Sequence, residues 1–503
     1  PNLNTDANEQ QGKHHRHGQV GPAAGTGLRE NPQGLDLNRD FVKLETPEIQ
    51  ALVSAINTWN PHLLIDTHTT NGSRHRYALT YDIPNNPAAP LANRKWLRSQ
   101  LLPEVTQSLK RQGIATTYYG NFNKDRSRWT TFGHEPRYSS EYMGLRGRLA
   151  ILSEAYSYIP YQDRILAHAS FISKTLQVLS GHRSQVAKLL AKSQTAPNRY
   201  SLQAKNGPFP EKIRIRAYEP AQNTEGRSDL APRDYNLEHY ANYKSTLEVD
   251  RPYAYVLGPD YSRTAQRLLW HGIEIHQVTQ AQAAELQQYR IAKINRSTTS
   301  YQGHRTTTVE VTETSSTEPI AIGSYVAYTD QPLAVLLGYL LEPLSDDGLT
   351  TWNFFDRAIR EGSHHPVARI REPVQLNAKR ISAVRPQSRL TLDQIYGPRG
   401  RVSFGGSFPL SLRWIPKTDD YLVRVAGVNY HVDAESGARH ITPARQTTAA
   451  QKALASLSHI TMKAASKLVQ QGQLAPDEQS TLYRHDTKKT IKQINELESA
   501  GAE

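Results

Sequence analysis

The sequence contains no cysteine. Disulfides and cysteine–zinc sites are therefore excluded, and any zinc has to be held by His, Asp or Glu. Nowhere is there a run of about 18 apolar residues, so no segment reads as a membrane span. No charged-then-apolar leader opens the chain, so nothing reads as a signal peptide. Charge is not scarce, but it lacks order. The formal net charge is +13, yet Lys and Arg are spread along the chain and no nucleic-acid motif accompanies them. That pattern predicts a solvated basic surface rather than a nucleic-acid interface. With 503 residues, 37% of them hydrophobic and 21% charged, the chain can build two or three domains with substantial cores.

What is present organises the chain into three parts. Residues 1–35 are rich in Gly, His, Asn and Gln and read as loop. A helix follows, with Thr46 as N-cap, Pro47 at its first position and Glu48 in its first turn. Its apolar residues Ile49, Leu52, Val53 and Ile56 share one face. After Asn60-Pro61, the run His62-Leu63-Leu64-Ile65 suits a buried strand that ends in Asp66-Thr67-His68-Thr69-Thr70. A second buried strand, Leu149-Ala150-Ile151-Leu152, runs into Ser153-Glu154-Ala155-Tyr156, and residues 163–192 read as helical. This is the pattern of an α/β protein, a mixed central sheet flanked by helices, with its chemistry at strand ends. From about 195 the texture shifts to Pro-rich loops and shorter strands, Tyr253 to Leu257 being the clearest. The Ser/Thr-rich stretch 297–317 alternates at Thr308-Val309-Glu310-Val311-Thr312 and predicts an exposed β-hairpin. Beyond a boundary near 375–388, Tyr421 to Val425 and Asn429 to His440 read as strands, the second broken by a turn at Asp433 to Gly437. The polar stretch 474–503 reads as a helical or frayed end. The expected domains are thus 1–194, a smaller mixed module at 195–372, and a β-rich segment at 385–503.

Three stretches carry chemistry. Asn38-Arg39, within Gly34 to Asp40, offers amide donors and a guanidinium fork that suit a carboxylate. Taken singly, such a pair is ordinarily a surface or structural feature. His68, in Asp66-Thr67-His68, follows a buried strand, where ligands bind and where a nearby carboxylate can orient a histidine ring; a hydrogen-bonded structural histidine is the alternative. Glu154 ends the other buried strand. A carboxylate there is costly unless paired or near a cation, which makes it a general-base candidate.

In this order and spacing the three stretches resemble the zinc carboxypeptidase family. Asn4-Thr5-Asp6-Ala7-Asn8-Glu9 is similar to that family's Asn-Pro-Asp-Gly region in degenerate form, and Leu35 to Asp40 to its Val-Asp-x-Asn-Arg-Asn motif. Asp66-Thr67-His68-Thr69 is similar to the strand end bearing the third zinc ligand, and Leu152-Ser153-Glu154 to the strand bearing the catalytic glutamate. The resemblance covers roughly 1–180. It implies a Zn²⁺ cofactor with His68 as ligand, Glu154 as general base, and Asn38 and Arg39 on the substrate's C-terminal carboxylate. An oxyanion-stabilising arginine is implied as well, with Arg16 the first candidate and Arg29 the second. A substrate-capping tyrosine is implied too, with both Tyr138 and Tyr142 in range. The implied substrate is a peptide or protein C-terminus, and the resemblance leans to an extracytoplasmic setting. A non-catalytic domain that binds C-terminal carboxylates is the alternative.

The family's first two ligands form a His-x-x-Glu upstream of the Asn-Pro-Asp-Gly region, and this chain starts after that point. The expectation is that residues 1–503 alone bind zinc poorly, are inactive, and expose a sheet edge beside Leu63–Ile65. The chain's own His271-Gly272-Ile273-Glu274 falls in the wrong order and reads as a helix–turn–strand junction. At the C-terminal end, Arg389 to Gly397, Phe404 to Phe408 and Leu412-Arg413-Trp414 resemble the opening of a dipeptidyl peptidase IV-type β-propeller. No Gly-x-Ser-x-Gly elbow follows. The implication is a fusion to a serine-peptidase propeller.

Overall fold

A computed structural model describes residues 3–16, 19, 21, 25–219 and 231–382, together with six short strands between 412 and 484. Pro1–Ala383 form one compact unit and Val384–Glu503 another.

The first unit is built on three sheets. Their strands, in chain order, are β1 (Leu63–Thr70), β2 (Leu79–Asp82), β3 (Thr116–Tyr118), β4 (Asn121–Phe122), β5 (Arg128–Thr130), β6 (Leu149–Tyr156), β7 (Arg199–Pro208), β8 (Ile213–Tyr218), β9 (Pro232–Asp250), β10 (Ala254–Leu257), β11 (Ile275–Val278), β12 (Gln282–Arg296), β13 (Thr307–Ile320), β14 (Tyr325–Tyr328), β15 (His364–Ile370) and β16 (Ala378–Ile381). The helices are α1 (Thr5–Glu9), α2 (Pro47–Trp59), α3 (Leu91–Trp96), α4 (Leu102–Arg111), α5 (Ser139–Leu145), α6 (Tyr161–Gly181), α7 (Arg183–Lys192), α8 (Ser262–Trp270) and α9 (Ala334–Leu341).

The sheet that matters for chemistry has the order β1-β6-β2-β3. β1 and β6 run parallel, β2 lies antiparallel to β6, and β3 parallel to β2. The sheet is therefore mixed, as the α/β pattern predicts. Its two faces pack differently because side chains alternate along a strand. Leu149 and Ile151 face a core built with Leu97, Leu101 and Val105 of the α3–α4 segment and Phe171 of α6. Ala150 faces the other core, with Ile49, Val53 and Ile56 of α2 and Tyr142, Met143 and Leu145 of α5. On that second face the strands turn polar towards their carboxyl ends, at Asp66, His68 and Glu154.

α2 forms where the sequence places it. Thr46 Oγ accepts from the Ile49 amide at 3.4 Å, Pro47 sits at the first position, and Asn60 closes the helix in the left-handed region at φ 45°. Thr46 is itself held by Asp40, whose carboxylate accepts from the Thr46 hydroxyl at 2.7 Å. The early loop carries one short helix, α1, that composition alone does not show.

The second sheet has seven antiparallel strands in the order β13-β12-β15-β10-β14-β11-β16. β12 and β13 form the long hairpin that the Ser/Thr alternation predicts. The third has the order β4-β5-β9-β7, with β8 also on β9. Residues on both sides of position 194 share one core: Val42 and Val53 pack in the same cluster as Tyr200, Tyr255, Ile291 and Leu336. Among the described residues no helix is long and apolar enough to cross a membrane.

Within the second unit, Leu412–Trp414, Tyr421–Val425, Val428–Val432 and Arg439–Ile441 pair successively as a four-stranded antiparallel meander. Leu474–Pro476 pairs with Leu482–Arg484, so these residues are extended where composition predicts a helical or frayed end. Ladder pairing uses backbone groups, which a polar composition does not forbid. The stretches 389–397 and 404–408 lie outside the described residues.

Candidate functional site at the ends of β1 and β6

His68 and Glu154 are direct neighbours in the parallel register of β1 and β6. The period of two puts Asp66 on the same face as His68. The His68 imidazole donates from Nε2 to Asp66 Oδ2 at 2.9 Å. Ser139, the first residue of α5, donates its hydroxyl to the same Asp66 oxygen. The Ser139 amide donates to Asn38 Oδ1 at 3.0 Å, and Asn38 Nδ2 faces His68 Nε2 at 3.4 Å. With Nε2 donating to Asp66, both atoms of that contact are donors, so Asn38 supports His68 through Ser139 and Asp66 and not by a bond of its own. On the opposite face, His168 Nε2 donates to the His68 carbonyl at 2.9 Å, and Ser153 Oγ donates to His168 Nδ1 at 3.0 Å. Those bonds fix the backbone of both strands at the level of the pair.

The electrostatics separate the two central groups. Burial on its own pulls the His68 imidazole down. The Asp66 carboxylate outweighs it, and the pKa goes up to about 9. Burial pushes the Glu154 carboxyl up, the His68 charge partly offsets this, and the result is about 7. Glu154 Oε2 is buried and has no hydrogen-bond partner. Leaving a carboxylate oxygen in that state costs ~1–3 kcal/mol until a water or ligand proton reaches it. Both Arg16 and Arg29 lie within electrostatic reach of Glu154. Arg16 sits in a left-handed backbone conformation at φ 50°, and its guanidinium pKa is lowered, first by burial and then by Arg29. Arg29 donates from Nε to Asp36 Oδ2 at 2.7 Å. Both arginine candidates therefore come to the same place.

Arg39 lies on the turn Leu37–Arg39, which Asp36 caps by accepting from the Asn38 amide at 3.0 Å. Its guanidinium stacks over the Tyr138 ring, 4.4 Å from the centroid. Nη1 donates to the Asn38 carbonyl at 2.6 Å, and Nε to the Tyr301 hydroxyl at 3.1 Å. Burial raises the Tyr138 phenol to about 12, with Arg39 opposing. Tyr142, one turn into α5, is fully buried. Its hydroxyl donates to His271 Nδ1 at 2.9 Å and accepts from Arg146 at 3.1 Å. It is a core residue, and Tyr138 alone of the two tyrosines borders the site.

His271 is buried, donates from Nε2 to the Val42 carbonyl at 3.1 Å, and is kept neutral by burial, its pKa near 3. Glu274 pairs with Arg380 at 3.0 Å. That His-x-x-Glu is a helix–turn–strand junction between α8 and β11, as its sequence context predicts. Among the described residues no group of three His, Asp or Glu is placed to hold a metal ion. With Nε2 committed to Asp66, His68 offers one imidazole nitrogen. The described residues therefore do not compose a zinc site by themselves.

Ser139 and Tyr301 are the site residues that the sequence reading missed. Ser139 stands next to Tyr138 at a helix start, a position where Ser is common for capping alone. Tyr301 lies in a hairpin tip far along the chain, and only the folded contacts bring it in. Comparison with protein-family models, with curated proteins and with solved structures returns no match.

Proposed function

We propose that the ends of β1 and β6 form the general-base and substrate-anchoring part of a peptide-hydrolysing site of the metallocarboxypeptidase type. The observation that carries this reading is Glu154. It is a strand-end carboxylate with an unpartnered buried oxygen and a pKa near neutrality, beside His68 and within reach of two arginines. A base that exchanges protons near pH 7 suits removal of a proton from water and its delivery to a leaving amine. Arg16 and Arg29 supply positive charge where an oxyanion would develop. Arg39, held flat against Tyr138 with Nη1 on the Asn38 carbonyl and 3.8 Å from Asp36, offers Nη2 to the substrate's terminal carboxylate. Asn38 supports His68 and lines the same turn.

Zinc, which the motif resemblance implies, would need ligands beyond His68. The competing reading, a domain that binds carboxylates without cleaving, shares Arg39 but makes no use of Glu154. Release of C-terminal residues by a chain with a His-x-x-Glu pair supplied ahead of residue 1 separates the two. Glu154→Gln is expected to cut turnover by roughly 10²–10⁴-fold with peptide binding retained. Unchanged turnover in that variant would end the assignment.

A further inference from the structure

The β12–β13 hairpin closes with a two-residue turn in which the Tyr301 amide donates to the His304 carbonyl at 2.7 Å and the His304 amide to the Tyr301 carbonyl at 3.1 Å. Gln302 and Gly303 take left-handed conformations at φ 52° and 80°, as such a tight turn requires. The tip is anchored on both sides. The Gln302 side-chain oxygen accepts from the Asp36 amide at 2.8 Å, one residue before the turn that carries Asn38 and Arg39. The His304 ring bonds Glu45 at 3.0 Å through Nε2 and Asn353 at 3.1 Å through Nδ1. Between these anchors the Tyr301 ring stacks on Trp352 at 6.1 Å, and its hydroxyl accepts from Arg39 Nε at 3.1 Å. Tyr301 nonetheless stays 39% exposed. An exposed tyrosine held at both flanks and pointed at a guanidinium is not explained by core packing.

We infer that Tyr301 is a positioning residue of the carboxylate subsite, contributed by the β12–β13 hairpin of the second sheet. By taking Nε, it fixes the guanidinium plane against Tyr138; with Nη1 on the Asn38 carbonyl and 3.8 Å from Asp36 Oδ2, Nη2 is the nitrogen left for a substrate carboxylate. This rests on the reading of Arg39 as the carboxylate anchor. It makes the hairpin part of the site, not an ornament on it.

The test is calorimetric titration of the intact chain with an N-acetylated tripeptide ending in phenylalanine, as free acid and as amide. It is run on the wild type and on Tyr301→Phe, which keeps the ring and its stacking and removes only the hydroxyl. Wild type is expected to favour the free acid. Tyr301→Phe is expected to weaken the free acid roughly fivefold, the worth of one ordinary hydrogen bond, and to leave the amide unchanged. A purely structural role for Tyr301 would move both ligands together. A wild-type preference that Tyr301→Phe leaves intact overturns the role of Tyr301 and spares the Arg39 reading. No preference in the wild type overturns both.

Discussion

Replacing Asp66 with Asn keeps the side chain's shape and removes its charge, so it isolates what that charge does to His68. In the wild type, burial acts to lower the imidazole pKa, and the Asp66 carboxylate 2.9 Å away reverses this and sets it at about 9. The interval from the ordinary 6.5 to about 9 corresponds to ~3 kcal/mol in favour of the folded imidazolium. The His68 and Asp66 side chains keep 22% and 27% of their surface accessible. Solvent screening therefore leaves about half of that, ~1–2 kcal/mol. A raised histidine pKa means the folded state holds its proton more tightly. The contribution is complete below 6.5 and is lost as pH rises through about 9. Asp66→Asn is thus expected to destabilise the protein by ~1–2 kcal/mol near pH 6 and by much less near pH 10. Its His68 resonance, followed by NMR, is expected to titrate well below about 9, since burial is then opposed mainly by Glu154. Denaturation at both pH values supplies the stability readout. A variant His68 still titrating near 9, or a destabilisation independent of pH, would refute the reasoning.

Glu154 runs in the same direction with pH, although here it is the neutral form that burial favours. Burial raises its pKa to about 7, so the unfolded chain releases that proton more readily and wild-type stability falls as pH climbs from 4.5 through 7. Glu154→Gln is expected to escape this, gaining ~1–2 kcal/mol on wild type between about pH 5 and pH 8 in urea denaturation, and parallel pH profiles would contradict it. Tyr142→Phe is expected to cost ~1–3 kcal/mol of stability by stripping His271 and Arg146 of a buried partner, with no change in affinity for a free-acid peptide. A loss of affinity at full stability would return Tyr142 to the site. Arg39→Ala is expected to weaken free-acid peptides far more than their amides, by ~1.5–3 kcal/mol for each charge-assisted hydrogen bond lost. Equal weakening in calorimetry would place the carboxylate elsewhere.

The parts of this structure that depend on local pattern were legible in the sequence. Leu63–Ile65 and Leu149–Leu152 read as buried strands because each is a short apolar run breaking into polar residues. Thr46-Pro47-Glu48 reads as a helix start through capping alone. The alternation at Thr308–Thr312 marks β13, and the context of His271–Glu274 marks a junction. What pattern cannot supply is which distant segment lands beside which. Tyr138 and Tyr142 are equivalent by spacing, and the start of α5 at Ser139 decides between them: Tyr142, one turn in, shares its surroundings with Met143 and Leu145 and is buried. The insertion of antiparallel β2 between β6 and β3 has no local signature. β9 does carry one, an inward alternation of Leu237, His239 and Ala241, diluted by the charged residues around it. Tyr301 became visible only through the register of the hairpin and the docking of its tip.

The parallel pairing of β1 with β6 has a consequence for how the protein comes into being. Parallel neighbours cannot be joined by a tight turn. Here the whole stretch from Asn71 to Arg148, with β2 to β5 and α3 to α5, lies between them. The β12–β13 hairpin, closed by its two-residue turn, can zip in microseconds from contacts near in sequence. His68 and Glu154 meet only after the long connection has been ordered and its closure entropy met. In a nascent or refolding chain the histidine motif is present from the moment β1 is made, while its carboxylate partner arrives with one of the slower, non-local steps. Recovery of any peptide binding at this site is therefore expected to trail recovery of β-structure during refolding, so that the pairing of His68 with Glu154 marks completion of the central sheet.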